Sequence, residues 1–214
     1  MQVKRFTNSI LSSNSYLLYT EENTVWLVDP GDSQPIMKWL EINSKSVKGI
    51  LLTHYHVDHI YGVNDFCEEY PELKIYTSEQ SLDGLFSAKL NGSYYMEMTY
   101  EVSFKDIQIV DSNSEIELFD SGEKAGVLLT PGHNNDCISF EIGKYLFTGD
   151  ALIPGVKVHT KSKQGDKLIA HETISRIIEM FPGDTIICPG HKEIILLKNI
   201  KIEELFTNKI FEKA

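Results

Sequence analysis

The 214 residues predict a layered, β-rich α/β fold, and three observations lead there. Hydrophobic residues make up 42% and charged residues 24%, enough apolar material for an ordinary core and too much for a disordered chain. Short runs of β-type composition recur from end to end, and segments with helical spacing interrupt them in two rounds. No repeat, low-complexity linker or compositional shift divides the chain, so a single domain is expected over 1–214.

Taken in order, β-branched and aromatic composition predicts strands at Ser15–Thr20, Thr24–Val28, Gly49–Thr53, Leu73–Thr77 and Asp106–Val110. Further strands are predicted at Glu115–Phe119, Gly126–Thr130, Ile138–Ile142, Tyr145–Thr148 and Thr185–Cys188. Helices are expected at Gln34–Ile42, Ile60–Tyr70, Asp166–Met180 and Lys198–Phe211; in the third, Leu168, Ile169, Thr173, Ile177 and Ile178 form an apolar stripe. Pro or Gly stops four of the strands, at Asp29-Pro30-Gly31-Asp32, Thr130-Pro131-Gly132-His133, Thr148-Gly149-Asp150 and Cys188-Pro189-Gly190-His191. His133, Asp150 and His191 are thereby delivered to loops at strand ends, where a side chain can leave the sheet without occupying the core.

Charge and cysteine usage narrow the function. With 31 acidic against 20 basic residues the net charge is −11, and such a field repels phosphodiester backbones and anionic lipid surfaces, so nucleic acid and membrane partners are not expected. No run approaches the roughly 18 apolar residues of a membrane span, and the polar stretches within Met1–Thr20 do not form a signal core. Cys67, Cys137 and Cys188 are odd in number and far apart, which fits buried thiols in a reducing cytoplasm and not a disulfide or thiolate–zinc framework.

The chemistry concentrates in Thr53-His54-Tyr55-His56-Val57-Asp58-His59, directly after an apolar strand. In extended backbone residues i and i+2 share a face, so His54 and His56 converge on one ion while Asp58 and His59, past the turn, address a second. Imidazole and carboxylate donors without thiolate suit catalytic zinc, although iron or manganese accepts the same atoms. Asp29 and Asp32, in the preceding strand-end turn, are candidates to orient ligand imidazoles, or simply turn residues.

The motif His54-x-His56-x-Asp58-His59 followed by Gly62, with Thr130-Pro131-Gly132-His133, Phe147-Thr148-Gly149-Asp150, Pro189-Gly190-His191 and the early Val28-Asp29-Pro30-Gly31, resembles the metallo-β-lactamase superfamily. The resemblance implies an αββα sandwich of two mixed sheets flanked by helices, with metals where the sheets meet. It also implies one metal held by His54, His56 and His133, a second by Asp58, His59 and His191, and Asp150 bridging them. Two Zn2+ ions are the expected cofactors, Asp58 and Asp150 the carboxylates with a catalytic part, and an ester-like bond in a small molecule the target. Paired ions would lower the pKa of water from near 16 toward about 7. The run from Thr130 to Asp150 looks most like the small glyoxalase II-like thioesterases, which implies a thioester of the hydroxyacylglutathione type. Phe147–Leu152 and Cys137 also resemble persulfide dioxygenases, which use a single iron, and a metal-binding interaction protein without turnover is the third reading. Lys157, Lys161, Lys163 and Lys167 surround His159 in an otherwise acidic chain, and His159 and Lys161 are the candidate substrate contacts beside the alternative of a solvated loop. The run Ser93–Tyr100 reads first as cover for the core and otherwise as an apolar lip or a homodimer surface, and His171 as a boundary residue of its helix.

Overall fold

Two six-stranded sheets lie face to face in the computed structural model, which describes residues 1–205. The first sheet runs in chain order: β1 (Gln2–Thr7), β2 (Asn14–Tyr19), β3 (Thr24–Val28), β4 (Ser46–Leu51), β5 (Lys74–Thr77) and β6 (Ile107–Ile109). Its first three strands pair antiparallel and the rest parallel. The second sheet has β7 (Glu115–Glu117), β8 (Lys124–Leu129), β9 (Ile138–Ile142), β10 (Tyr145–Gly149), β11 (Ile186–Pro189) and β12 (Ile195–Leu196), all antiparallel except the β10–β11 pair. The helices are α1 (Ser33–Asn43), α2 (Val57–Ile60), α3 (Val63–Glu69), α4 (Leu82–Leu85), α5 (Lys167–Met180) and α6 (Ile202–Leu205).

Alternation along the strands produces the layers. Leu17, Val25 and Leu27 point outward to pack with Ile36 and Leu40 of α1 and Val63 and Phe66 of α3. Their neighbours Tyr16, Leu18, Trp26 and Val28 point inward, against Val127, Phe140, Phe147 and Cys188 of the second sheet. Beyond that sheet, Leu146 and Ile187 meet Ile174 and Ile177 of α5. The order helix, sheet, sheet, helix is the αββα sandwich that the resemblance implies. Trp26 is buried between the sheets and donates its indole N–H to the Leu118 carbonyl at 2.7 Å, so its polar edge is satisfied inside the core.

Several expectations need correction. Gln2–Thr7 forms an edge strand with half-exposed side chains on both faces, which erases the alternation that would have announced it. The helix expected over Ile60–Tyr70 is two helices, α2 and α3, broken at Tyr61-Gly62. Gly62 packs against the turn after β3, where a Cβ would stand 2.1 Å from the Gly31 carbonyl oxygen. In place of a helix from Lys198 there is a 3-10 turn at Leu197–Asn199, followed by the short α6, because Leu197 and Lys198 donate their N–H groups to Thr185 and Gly183; residues 206–211 of that expected helix lie outside the described residues. The Ser93–Tyr100 run does not cover the core with its first aromatics, since Tyr94 and Tyr95 are 65% and 68% exposed; only Tyr100 packs on the outer core of the first sheet.

Candidate metal centre

The carboxyl ends of five strands meet along one edge of the sandwich. β3 leads to Asp29, β4 to His54–His59, β8 to His133, β10 to Asp150 and β11 to His191. His54 and His56 flank Tyr55 in extended backbone, while Asp58 and His59 fall in the short α2, so the one segment supplies two directions of approach.

Two donor groups result. Ligand-type atoms of His54, His56 and His133 lie within 4.8 Å of one another, and those of Asp58, His59 and His191 do the same. His56 Nδ1 and His133 Nε2 are 2.9 Å apart. His59 Nε2 and His191 Nε2 each stand 3.3 Å from Asp58 Oδ2. Asp150 lies between the groups: Oδ2 is 3.5 Å from His133 Nε2, and Oδ1 is 3.5 Å from both His59 Nε2 and His191 Nε2. All seven residues singled out as ligand candidates are therefore brought together. Gly190 permits this approach, because a Cβ there would stand 2.3 Å from Asp150 Oδ1 and 2.8 Å from His59.

A third group, Asp29 with His54 and His59, is of a different kind. Asp29 reaches the outer nitrogen of His59, with Oδ2 3.1 Å from Nδ1, and accepts the Thr53 N–H and hydroxyl at 2.8 and 2.6 Å. The single Thr53 proton is committed to Asp29, so the hydroxyl accepts from His54 Nδ1 at 3.0 Å. One carboxylate thus holds the outer nitrogens of two histidines, one of them through Thr53, and leaves both Nε2 atoms facing the centre, the support that metal-bound imidazoles require. His133 is fixed similarly, its Nδ1 donating to the His159 carbonyl at 2.7 Å. Asp32 serves the turn instead, accepting from Ser9 and Tyr61 and bonding to no ligand candidate among the described residues.

The electrostatics divide along the same line. Burial, reinforced by neighbouring imidazoles, pushes His54 down and His56 down to about 4, and burial lowers His133, so all three offer neutral nitrogens. In the second group burial opposes charge but loses. His59 holds Asp58 far below the usual carboxylate range, with His191 adding to it, and His59 and His133 do the same for Asp150. Against the same burial, Asp58 in turn raises His59 and His191. Protons on those imidazoles stand where a dication would balance the carboxylates. His54 Nε2, His59 Nε2 and Asp150 Oδ1 are buried without a hydrogen-bond partner, which is costly for polar atoms unless a cation takes them. The donor set and its orphaned atoms fit divalent metal.

Of the two candidate substrate contacts, His159 lies beside this centre and Lys161 in the cavity next to it, which none of the seven ligand candidates lines. The His159 ring lies 6.3 Å from that of His133, centroid to centroid, and neither His159 nor Lys161 is buried. With Lys157, Lys167 and His171 they line a cavity of about 360 Å3 floored by Val158, Ile174 and Leu205. The supporting residues Ser13, Asn14 and Asp136 have no signal in the sequence beyond their polarity, and the three cysteines are buried thiols as expected.

Comparison with known proteins gives the relatives of this chain. Hydroxyacylglutathione hydrolase of Pectobacterium atrosepticum is 29% identical over 196 residues, 92% of this chain and 66% of that protein, so the chain spans just under two thirds of this relative's length. The enzyme of the same name from Buchnera aphidicola is 26% identical over 212 residues, covering 95% of this chain and 75% of its own length. Among solved structures, the BLEG-1 B3 metallo-beta-lactamase superposes with a TM-score of 0.85 at 24% identity, over 92% of this chain and 95% of that one. TTHA1623 in a di-iron-bound form gives 0.79 at 25% identity, over 91% and 95%. The sequence profile of the metallo-beta-lactamase superfamily matches residues 9–191, a span that holds every donor described above, and the chain belongs to that superfamily.

Proposed function

We propose that the protein is a metal-dependent hydrolase of thioesters of the hydroxyacylglutathione type, carried by one domain with a dinuclear centre. The observation that carries the reading is the pair of buried donor groups sharing Asp150, supported by the names of the relatives. His54, His56 and His133 would hold one ion, Asp58, His59 and His191 the other, and Asp150 both. Two Zn2+ ions are proposed, with iron or manganese as the alternatives the same donors accept. When bound, such a pair lowers the pKa of water and polarises an acyl carbonyl, supplying nucleophile and electrophile together.

The chain's own residues do the rest. Asp58 and Asp150 stay anionic across the physiological range because imidazoles face them, so they hold the cationic centre and orient water within it. Asp29 keeps the ligand imidazoles turned inward. His159 and Lys161, on the rim of the basic cavity, would receive a carboxylate of the small-molecule substrate.

Hydrolysis of a hydroxyacylglutathione thioester, followed beside metal content, tests this. Wild type is expected to turn over with two ions per chain, and Asp150→Asn and His56→Ala to lose about a hundredfold or more. His159→Ala with Lys161→Ala should raise KM severalfold with kcat little changed. One iron per chain, or no metal-dependent hydrolysis, overturns the proposal.

A further inference from the structure

The two donors at the ends of the second group, Asp58 and His191, come from different sheets. Asp58 follows β4 and His191 follows β11, so their separation depends on how the sheets are joined at this edge. The dipeptide Ser13-Asn14 makes most of the bonds of that join, beside the Tyr16 hydroxyl, which donates to the Pro189 carbonyl at 2.7 Å. Ser13, fully buried, donates its hydroxyl to the Asp58 carbonyl at 2.6 Å and pairs as an antiparallel bridge with His191. Asn14, 1% exposed, donates its backbone N–H to the Gly190 carbonyl at 2.7 Å. Its side-chain amide donates to the carbonyls of Pro189 at 3.0 Å and Lys192 at 2.8 Å. Three carbonyls of the turn that carries His191 thus accept from one residue.

The turn needs such restraint. Lys192 adopts a left-handed φ of 70°, which a side chain disfavours, and Arg5 adds a second donor to its carbonyl at 2.6 Å. Among the described residues, no hydrogen bond from Ser13 or Asn14 reaches His54, His56 or His133.

We infer that Ser13 and Asn14 are positioning residues for one half of the centre, a clamp that sets the spacing of Asp58 and His191 and so governs the second ion without governing the first. The inference rests on the dinuclear reading. Among the described residues Asn14 hydrogen-bonds to no ligand atom; it fixes the backbone from which His191 projects. Replacing its amide by a carboxylate of the same shape removes two donors and sets anionic acceptors against the Pro189 and Lys192 carbonyls, which then keep only their bonds from Tyr16 at 2.7 Å and Arg5 at 2.6 Å.

Titration of metal-free protein with Co2+, followed by ligand-field absorption, separates the two ions. Wild type is expected to take two equivalents. Asn14→Asp and Ser13→Ala should bind the first within about threefold of wild type and the second at least about tenfold more weakly, the scale of lost support around a metal ligand. Equal weakening of both equivalents, as from a general loss of structure, overturns the inference, and so does an unchanged second equivalent in both variants. Ser13→Ala keeps the test open should Asn14→Asp fail to fold. Fewer than two equivalents in wild type overturns the dinuclear reading and the clamp with it, a result distinct from either.

Discussion

Asp136 shows what a single buried carboxyl does to this fold. Its Oδ2 accepts the Tyr55 N–H and the Ser81 hydroxyl, both at 2.9 Å, and its carbonyl accepts from Ser78 at 2.7 Å, so it ties the loop of His54 and His56 to the turn before α4. Burial pushes it up to about 7, against the pull of Ser81 and Tyr55. A carboxyl with a higher pKa folded than unfolded stabilises the fold fully only below the unfolded value, near 3.8, and gives up that contribution as pH rises through about 7. Asp136→Asn keeps the acceptor and removes the charge. Chemical denaturation should therefore find the variant gaining about 2 kcal/mol on wild type between about pH 5.5 and about pH 8, and a flat difference would refute it. Asp29→Asn probes a different residue: an amide has one acceptor oxygen, so it cannot receive the Thr53 N–H at one oxygen and the Thr53 hydroxyl and His59 imidazole at the other as the carboxylate does, and metal affinity should fall about tenfold to a hundredfold in a chelator competition. The ligand candidates are legible in the sequence because His and Asp at close spacing after a strand have few other uses. Asp136 is not, since in Asn134-Asn135-Asp136 it looks like any turn residue, and only tertiary burial makes it titrate near neutrality.

The same contrast holds for elements. α5 is readable because helical spacing and its cap agree, although its buried face is Ala170, Thr173, Ile174 and Ile177 and the expected stripe residues Leu168 and Ile169 are exposed: Asp166 accepts the N–H groups of Leu168 and Ile169, satisfying donors a helix start leaves open. Asp166→Ala should cost about 1 kcal/mol in denaturant unfolding, with the backbone N–H of residue 166 still bonded to the Gly132 carbonyl. The break between α2 and α3 is hidden because periodicity runs through it, and the reason for it lies in another strand's turn. At Gly62 a Cβ would meet the Gly31 carbonyl, so Gly62→Ala should cost on the order of 2 kcal/mol or more, the range for overpacking against backbone. β1 and β12 escape sequence reading for a related reason. Edge strands need only one partner and bury little, and their pairing comes from geometry that composition does not encode.

For the whole molecule the question is what the proposed metals would add to a sandwich that already has its core. Between the sheets, Trp26, Phe140, Phe147 and Tyr16 are almost wholly buried together, so the layers have reason to associate without any ion. The proposed ligands bridge the sheets at one edge only: His54 to His59 from the first, His133, Asp150 and His191 from the second. Ions held there bind the folded chain and not the scattered ligands of the unfolded one, and at a hundred times Kd each adds about 2.7 kcal/mol. In a chain of this size that is about 5–10 °C of melting temperature per ion. Exhaustive chelation should therefore lower Tm by at least that amount while leaving the far-UV circular dichroism intact, and Zn2+ should restore Tm in a concentration-dependent way. Loss of secondary structure on chelation would mean that the ions nucleate the fold, and an unchanged Tm would mean that the carboxylates and imidazolium groups at the edge already satisfy one another without them.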